Sequence, residues 1–342
     1  MSREDLVAFL RSLGATDDDI ADYAGDLPGL ASVIVLRPGI ERTTLAEAAE
    51  SAGIELARAE RLWRANGLPL PPADAKVMSE AEAVNYQLFE AACQLFGEEA
   101  VLQLVRVIGS AVAKIADAAV SAFLVNVEVP SATDDPDGLR LARANADAAR
   151  LVPGLMSSID VLLRRHILAA RRSLRALEET GRAGFETQEL AVGFADIVGS
   201  TALAGRLAIG ELGSMLSAFE ERAYATVLDH GGRVIKLIGD EVMFVTADPR
   251  AAAEIALALV DGDGGPDLRA GLAHGEVLLR DGDCFGPVVN LAARAVRVAD
   301  PGRVVTSASV VDALGEGRAR SLGRREVKGF PDPVELWELE PG

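Results

Sequence analysis

The 342-residue sequence predicts an α+β protein, all-helical in its first half and mixed in its second. Three observations carry this. Residues 1–175 read as successive helix-length periodic stretches, parted by breakers such as Leu68-Pro69-Leu70-Pro71-Pro72. From residue 189 the texture changes to short β-branched runs that alternate with helical stretches. With 49% hydrophobic residues, the chain can bury a core in each half.

In order, helices are expected at 3–13, 17–25, 44–52, 55–66, 79–95, 98–127, 137–150 and 153–178. The charged stretch 159–178 suits a rigid connector better than a loose tether. A boundary falls in Glu179–Glu186, which holds Gly181 and Gly184. The domains are thus a helical one over 1–178, a linker over 179–187 and a mixed one over 188–342. In the last, strands are expected at 189–195, 233–238, 241–246, 268–273, 276–280, 303–306, 325–328 and 334–339. Helices at 202–229, 249–260, 288–298 and 307–314 fall between them.

Composition narrows the function classes. The net charge of −18 argues against general nucleic-acid binding, which needs positive charge facing phosphate. Cys93 and Cys284 have neither metal nor disulfide spacing, which points to a reducing, cytoplasmic setting. The start MSREDLVAFL is too acidic for a signal peptide. Arg106, Lys114 and Asp117 interrupt the most apolar region, 101–129, so no transmembrane segment is expected.

Two stretches of the first half invite a sharper reading. Residues 44–69 have a helix–turn–helix look, with Arg58, Arg61 and Arg64 along the second helix. Glu55 and Glu60 break that basic strip, which favours a packed helical hairpin over a DNA reader. Residues 98–127 are very apolar for one helix. Core or a dimer interface is the plain reading, and a pocket for a lipid or fatty acid is the sharper one.

The second half carries the chemistry. In LAVGFADIVGST, 190–201, an apolar strand ends at Asp196, and Gly199, Ser200 and Thr201 open a helix. A carboxylate there suits a hard divalent cation, and the N–H groups after it suit phosphate. An ordinary N-cap is the plainer reading of Asp196 alone. In VIKLIGDEVMFV, 234–245, alternation puts Val234, Lys236 and Ile238 on one strand face, and Asp240 sits on the turn. The chain has only four lysines, at 76, 114, 236 and 328, so one inside a buried-looking strand is notable. If strands 190–195 and 233–238 are neighbours, Asp196 and Asp240 converge as a two-metal site. In GDCFGPVVNLAAR, 282–294, Asn290 and Arg294 lie four apart on one helix face. Isolated, they would read as a surface pair.

Taken together and in this order, FADIVGST, KLIGDE, RAGLAHGEV and the Asp-x6-Asn-x3-Arg helix start resemble the catalytic domain of class III nucleotidyl cyclases, over about 188–342. The resemblance implies a palm-type, ferredoxin-like fold for that half. It implies that Asp196 and Asp240, with the main chain of Ile197, hold two Mg2+ or Mn2+ ions. Residues Ile197, Val198, Gly199, Ser200 and Thr201 would line the phosphates, with Lys328 reaching the triphosphate. Asn290 would orient the ribose and Arg294 would stabilise charge on the α-phosphate.

In the family a lysine and its companion read the purine, and Lys236 and Asp283 match them. An ammonium only donates, so it suits adenine N1, and Asp283 accepts from the 6-amino group. Guanylyl cyclases of the family carry Glu and Cys there. Counting back seven from Asn290 lands on Asp283 rather than Cys284, which favours ATP over GTP.

Family members build each site from two chains, so a head-to-tail homodimer with two complete sites is implied. The rival readings are a guanylyl or diguanylate cyclase using GTP, since IGDEVMF resembles a Gly-Gly-Asp-Glu-Phe signature, and an ATP-binding sensor that never turns over. The layout is similar to soluble bacterial adenylyl cyclases with an N-terminal autoinhibitory domain, some of them pH-responsive. His166, amid Arg164, Arg165, Arg171 and Arg172, is one of only three histidines through which such a response could act.

Overall fold

A computed structural model describes residues 3–37, 43–132, 135, 137–179, 187–262, 265–315 and 317–340. Contacts divide the chain into two compact units, Met1–His166 and Ile167–Gly342. The division falls inside the helix Val152–Glu179. Residues 180–186 of the expected linker lie outside the described residues.

Among its described residues, the elements of the first unit are all helices, apart from an isolated bridge between Thr43 and Met78. It has two cores. Helices Arg3–Leu13, Leu27–Leu36 and Leu139–Ala149 bury Leu6, Leu10, Leu30, Ala142 and Ala146 against one another. Helices Leu45–Ala52, Leu56–Ala65, Glu80–Phe96 and Glu98–Phe123 enclose Ala48, Leu62, Phe89 and Leu102. Capping boxes start three of the unit's helices. Thr16, Thr44 and Ser79 each exchange hydrogen bonds with Asp19, Glu47 and Glu82 three residues on. Asp19 also takes a 2.5 Å ion pair from Arg37, which holds its carboxyl well below the usual range.

Helix Leu27–Leu36 was not anticipated, because Pro28, Gly29 and the β-branched Val33-Ile34-Val35 all argue against it. Pro at the first turn is harmless, however, and Asp26 caps the helix by accepting from Gly29 N–H at 3.0 Å. Of the two plain readings of 98–127, core and dimer interface, the core reading needs correction. Val101, Leu102 and Gly109 are buried, but Leu104, Ile108, Val112, Ile115 and Val120 are exposed. Likewise Glu98–Glu128 is long and apolar enough to cross a membrane, by length and composition only, at a mean hydropathy of 1.6. The expected absence of a transmembrane segment therefore gains no support from it.

In the second unit eight strands form one sheet. They are β1 (Thr187–Ile197), β2 (Arg233–Ile238), β3 (Glu241–Thr246), β4 (Leu268–Arg280), β5 (Asp283–Phe285), β6 (Val304–Ser307), β7 (Ala319–Arg325) and β8 (Val334–Leu339). Their order is β2-β3-β1-β4-β6-β8-β7, with β5 paired to β4. Only the β4–β6 pair is parallel among the pairings of the described residues. Helices Ile209–Asp229 and Pro249–Val260 cover one face, burying Phe219, Ile255 and Leu259 against Ala195, Phe244 and Leu272. Helix Pro287–Val298 covers the other, setting Ala292 and Val296 against Phe194, Met243 and Ala273. Gly271 on β4 permits this close approach, since a Cβ there would lie 2.3 Å from the Val296 nitrogen.

In the second unit the short strand β5 was not expected, and three further elements differ from expectation. The runs 268–273 and 276–280 are one strand, β4, which passes through Gly275 at φ 154°. The stretch 202–229 is two helices, Ser200–Ala204 and Ile209–Asp229, parted at Gly205. The strand expected at 325–328 lies earlier, as β7, where it pairs with β8.

Candidate active site

The central strand β1 brings the site together. Asp196 stands opposite Glu241 of β3 on one side and Arg269 of β4 on the other. Directly opposed residues share a sheet face, so these three side chains form one polar row. Phe194, Met243 and Lys236 form the next row on that face, two residues along β1. The row of Ala195, Val242 and Ala270 between them points to the other face, into the core.

Asp240 lies in the tight turn between β2 and β3, after Gly239 at φ 65°. Its carbonyl accepts from Ile197 N–H at 3.1 Å, which ties the turn to the end of β1. Strands 190–195 and 233–238 are not the neighbours expected, since β3 lies between β1 and β2; the two aspartates come together because the β2–β3 turn sits at the end of β1. Burial pushes the Asp196 carboxyl up, the charge of and hydrogen bond to Asp240 add to this, and Arg269 opposes it. Glu241 rises further, to about 7, through burial and the negative charge of Asp196, against the pull of Arg297.

The face expected for Lys236 is corrected. A β-bulge lies between Val234 and Lys236, so Val234 stands opposite Phe244 while Lys236 stands opposite Met243. Val234 therefore joins Leu237 in the core under the first face, and Lys236 turns to the polar face with Ile235. There it forms an ion pair with Asp283 of β5. Asp283 Oδ1 also accepts from Cys284 N–H at 2.8 Å, which fixes the carboxylate. Cys284 itself is buried at 2% exposure in the hydrophobic cluster, and burial pushes its thiol up. Asp283, not Cys284, is thus the partner of Lys236.

The segment expected to face phosphate offers fewer free donors than expected. The N–H of Ile197 goes to Asp240, and that of Val198 goes to Asp267 O at 2.8 Å. The Ile197 side chain is in the core at 1% exposure, so only its carbonyl is left for chemistry. Gly199, at φ 70°, precedes the short helix Ser200–Ala204, and the first N–H groups of a helix have no partner inside it. Gly199, Ser200 and Thr201 are the donors that remain.

Asn290 and Arg294 project from helix Pro287–Val298, Asn290 exposed and Arg294 half-buried. Among the described residues, no ion pair or hydrogen bond carries either side chain to Asp196 or Asp240. Arg297, a turn beyond Arg294, is the side chain of this helix whose charge acts on Glu241. Lys328 is exposed, beyond the end of β7. Sequence reasoning missed Glu241, Arg269 and Arg297. The available signal was the same that singled out Lys236, a charged residue inside an apolar strand, here Leu268-Arg269-Ala270.

The strip Arg58, Arg61 and Arg64 is taken up within the helical unit. Arg58 pairs with Glu90 and Glu98 and lies over the Phe89 ring, Arg61 pairs with Glu98, and Arg64 with Glu60. That favours the packed hairpin.

Comparison with known proteins agrees with this layout. Residues 1–169 match the adenylate cyclase regulatory domain family, and residues 185–341 match the adenylate and guanylate cyclase catalytic domain family. An uncharacterized protein of Mycobacterium tuberculosis is 34% identical over 343 residues, covering 98% of this chain and 90% of that one. An adenylate cyclase of Streptomyces coelicolor is 33% identical, over 86% of this chain and 78% of its own. A pH-sensitive adenylate cyclase of Mycobacterium tuberculosis is 30% identical, over 99% of this chain and 88% of its own. The chain belongs to the class III adenylate cyclases, in the group that carries a helical regulatory domain ahead of the catalytic domain.

Proposed function

We propose that this enzyme converts ATP to 3′,5′-cyclic AMP and pyrophosphate in a head-to-tail homodimer. One observation carries the substrate: the Lys236–Asp283 pair, whose donor and acceptor match adenine N1 and the 6-amino group. Guanine reverses both groups, and each mispaired buried group costs about 1–3 kcal/mol.

Asp196 and Asp240 fit a pair of Mg2+ or Mn2+ ions. Their hard oxygens lie together at a strand end, and a cationic group, Arg269, already neutralises one of them. Among the described residues no group of three or more His, Cys, Asp or Glu side chains is placed to hold a metal. The remaining ligands are then the Ile197 carbonyl, water and substrate oxygens. Ions held there would acidify the ribose 3′-hydroxyl and offset the triphosphate charge. Gly199, Ser200 and Thr201 offer N–H groups to the phosphates. Asn290 orients the ribose, and Arg294 meets the charge that develops on the α-phosphate, with Lys328 as a further triphosphate contact.

Within one chain Asn290 and Arg294 do not engage the aspartates, which is what a site shared between two chains requires. The exposed apolar residues Leu104, Ile108, Val112 and Ile115 support a paired chain, as do Met156, Leu162 and Leu163. The helical domain regulates the catalytic one in this reading. The name of the pH-sensitive relative makes protons the first input to try.

The test is product analysis. Purified chain with Mn2+ yields cyclic AMP from ATP in large excess over cyclic GMP from GTP, and Asp240→Ala abolishes it. Binding of ATP without product would favour a sensor, and turnover of GTP alone would favour a guanylyl or diguanylate cyclase.

A further inference from the structure

The polar row on the site face holds more acid than base. Asp196 and Glu241 stand side by side, with Asp240 on the adjoining turn. Arg269 completes the row opposite Asp196. Its Nε and Nη2 both donate to the same oxygen, Asp196 Oδ2, at 3.0 and 2.7 Å. A guanidinium facing a free carboxylate can use both oxygens. Here both bonds converge on one oxygen, and Asp240 acts on the same carboxyl. The geometry is that of a cation seated on one side of a shared acidic site.

We infer that Arg269 is the resident counter-cation of this site: it occupies Asp196 until a divalent ion arrives and has to yield it for the ion to bind. The inference rests on the proposed role of Asp196 as a metal ligand. Two cations cannot share one carboxylate oxygen without repulsion, so ion and guanidinium compete. Arg269 can leave, because its side chain is 30% exposed, against 17% for Asp196. It also has a second acid to serve, since its charge already acts on Glu241, two strands away in the same row. Arg269 is then a positioning residue. It keeps the metal-free acids from repelling one another and sets the ion concentration at which the site fills.

The test uses full-length protein, Mn2+ and 3′-deoxy-ATP, which lacks the attacking hydroxyl. Bound Mn2+ is read from the loss of the free-ion electron paramagnetic resonance signal. Arg269→Gln should bind Mn2+ about three- to tenfold more tightly than the parent chain, with Arg269→Lys between them, because an ammonium cannot make the fork. Metal-free melting should fall in Arg269→Gln, and Mn2+ should raise it by more than it raises the parent. Unchanged or weaker Mn2+ binding in both variants overturns the inference, because Arg269 would then serve to orient Asp196. Should Arg269→Gln fail to fold, the affinity of Arg269→Lys decides alone. Asp196→Asn separates the two layers. If it weakens Mn2+ binding while the Arg269 variants do not tighten it, only the counter-cation role fails. If it leaves binding unchanged, the metal role of Asp196 fails, and the inference with it.

Discussion

Lys236→Ala is the most direct test of base selection. The substitution removes the donor to adenine N1 and strips Asp283 of its ion-pair partner. A hydrogen bond to a charged group contributes about 1.5–3 kcal/mol when buried. The Lys236 side chain is 40% exposed and Asp283 26%, so solvent replaces part of the loss and the lower end of that range applies. The expected cost is a drop of about ten- to thirtyfold in kcat/KM for ATP. The drop for GTP should be much smaller, because an ammonium has nothing to offer guanine N1–H. Asp283 keeps one anchor in the variant, the Cys284 N–H, so the pocket stays shaped and the loss is one of recognition. Initial rates with ATP and GTP across a range of Mn2+ concentrations measure it. Lys236→Glu combined with Asp283→Cys should shift the preference toward GTP. An ATP-to-GTP ratio within about twofold of the parent in Lys236→Ala would refute the reasoning, whatever the absolute rate.

Three further outcomes are expected. Burial and the charge of Asp196 push the Glu241 carboxyl up to about 7, above the 4.5 of a free glutamate. The folded state therefore holds a proton that the unfolded chain has released, and metal-free stability falls as pH rises through that interval, by an amount that solvent screening of this half-buried group reduces. Melting in chelator from pH 5.5 to 8 should show this slope, and Glu241→Gln should flatten it. Gly271→Ala places a Cβ against the main chain of helix Pro287–Val298, at 2.3 Å from Val296 N and 2.5 Å from Ala292 O. Backbone cannot rotate out of the way, so a loss of about 1–3 kcal/mol in melting and a larger loss of activity are expected. If the helical domain is the proton sensor, the fragment from about residue 185 should lose the pH response between 5.5 and 8 that the full chain shows. Identical cyclase profiles would remove it from that role.

The sequence disclosed most where residue chemistry and strand periodicity agree. Asp196, Asp240, Lys236 and Asp283 were legible because each is a charge in an apolar setting with a motif around it. Periodicity failed at the bulge after Val234, since one inserted residue reverses every later side chain and nothing in VIKLI marks it. It failed again at Leu27–Leu36, where the capping of Asp26 onto Gly29 outweighs poor helix propensity. The N–H groups of Ile197 and Val198 were counted as phosphate donors because a strand–loop–helix pattern says nothing of which donors the fold has already spent.

Arg269 went unread for a different reason. Lys236 and Arg269 are the same anomaly, a basic side chain inside an apolar strand, yet only the first lies in a stretch whose purpose the family supplied. The structure ranks them alike: Lys236 neutralises Asp283, Arg269 neutralises Asp196, and both acids belong to the proposed site. Two of the three acids that are to meet a substrate or an ion, Asp283 and Asp196, are thus already paired in the free chain. That is economical physically, because an unpaired, half-buried carboxylate raises its own pKa and weakens the fold. It also has a consequence for function. Neither pair can be counted as binding energy in full, since adenine and metal each gain contacts only by displacing or sharing existing ones. Selectivity then comes from which newcomer the displaced partner tolerates, and Lys236 tolerates adenine because it can bond N1 while still facing Asp283.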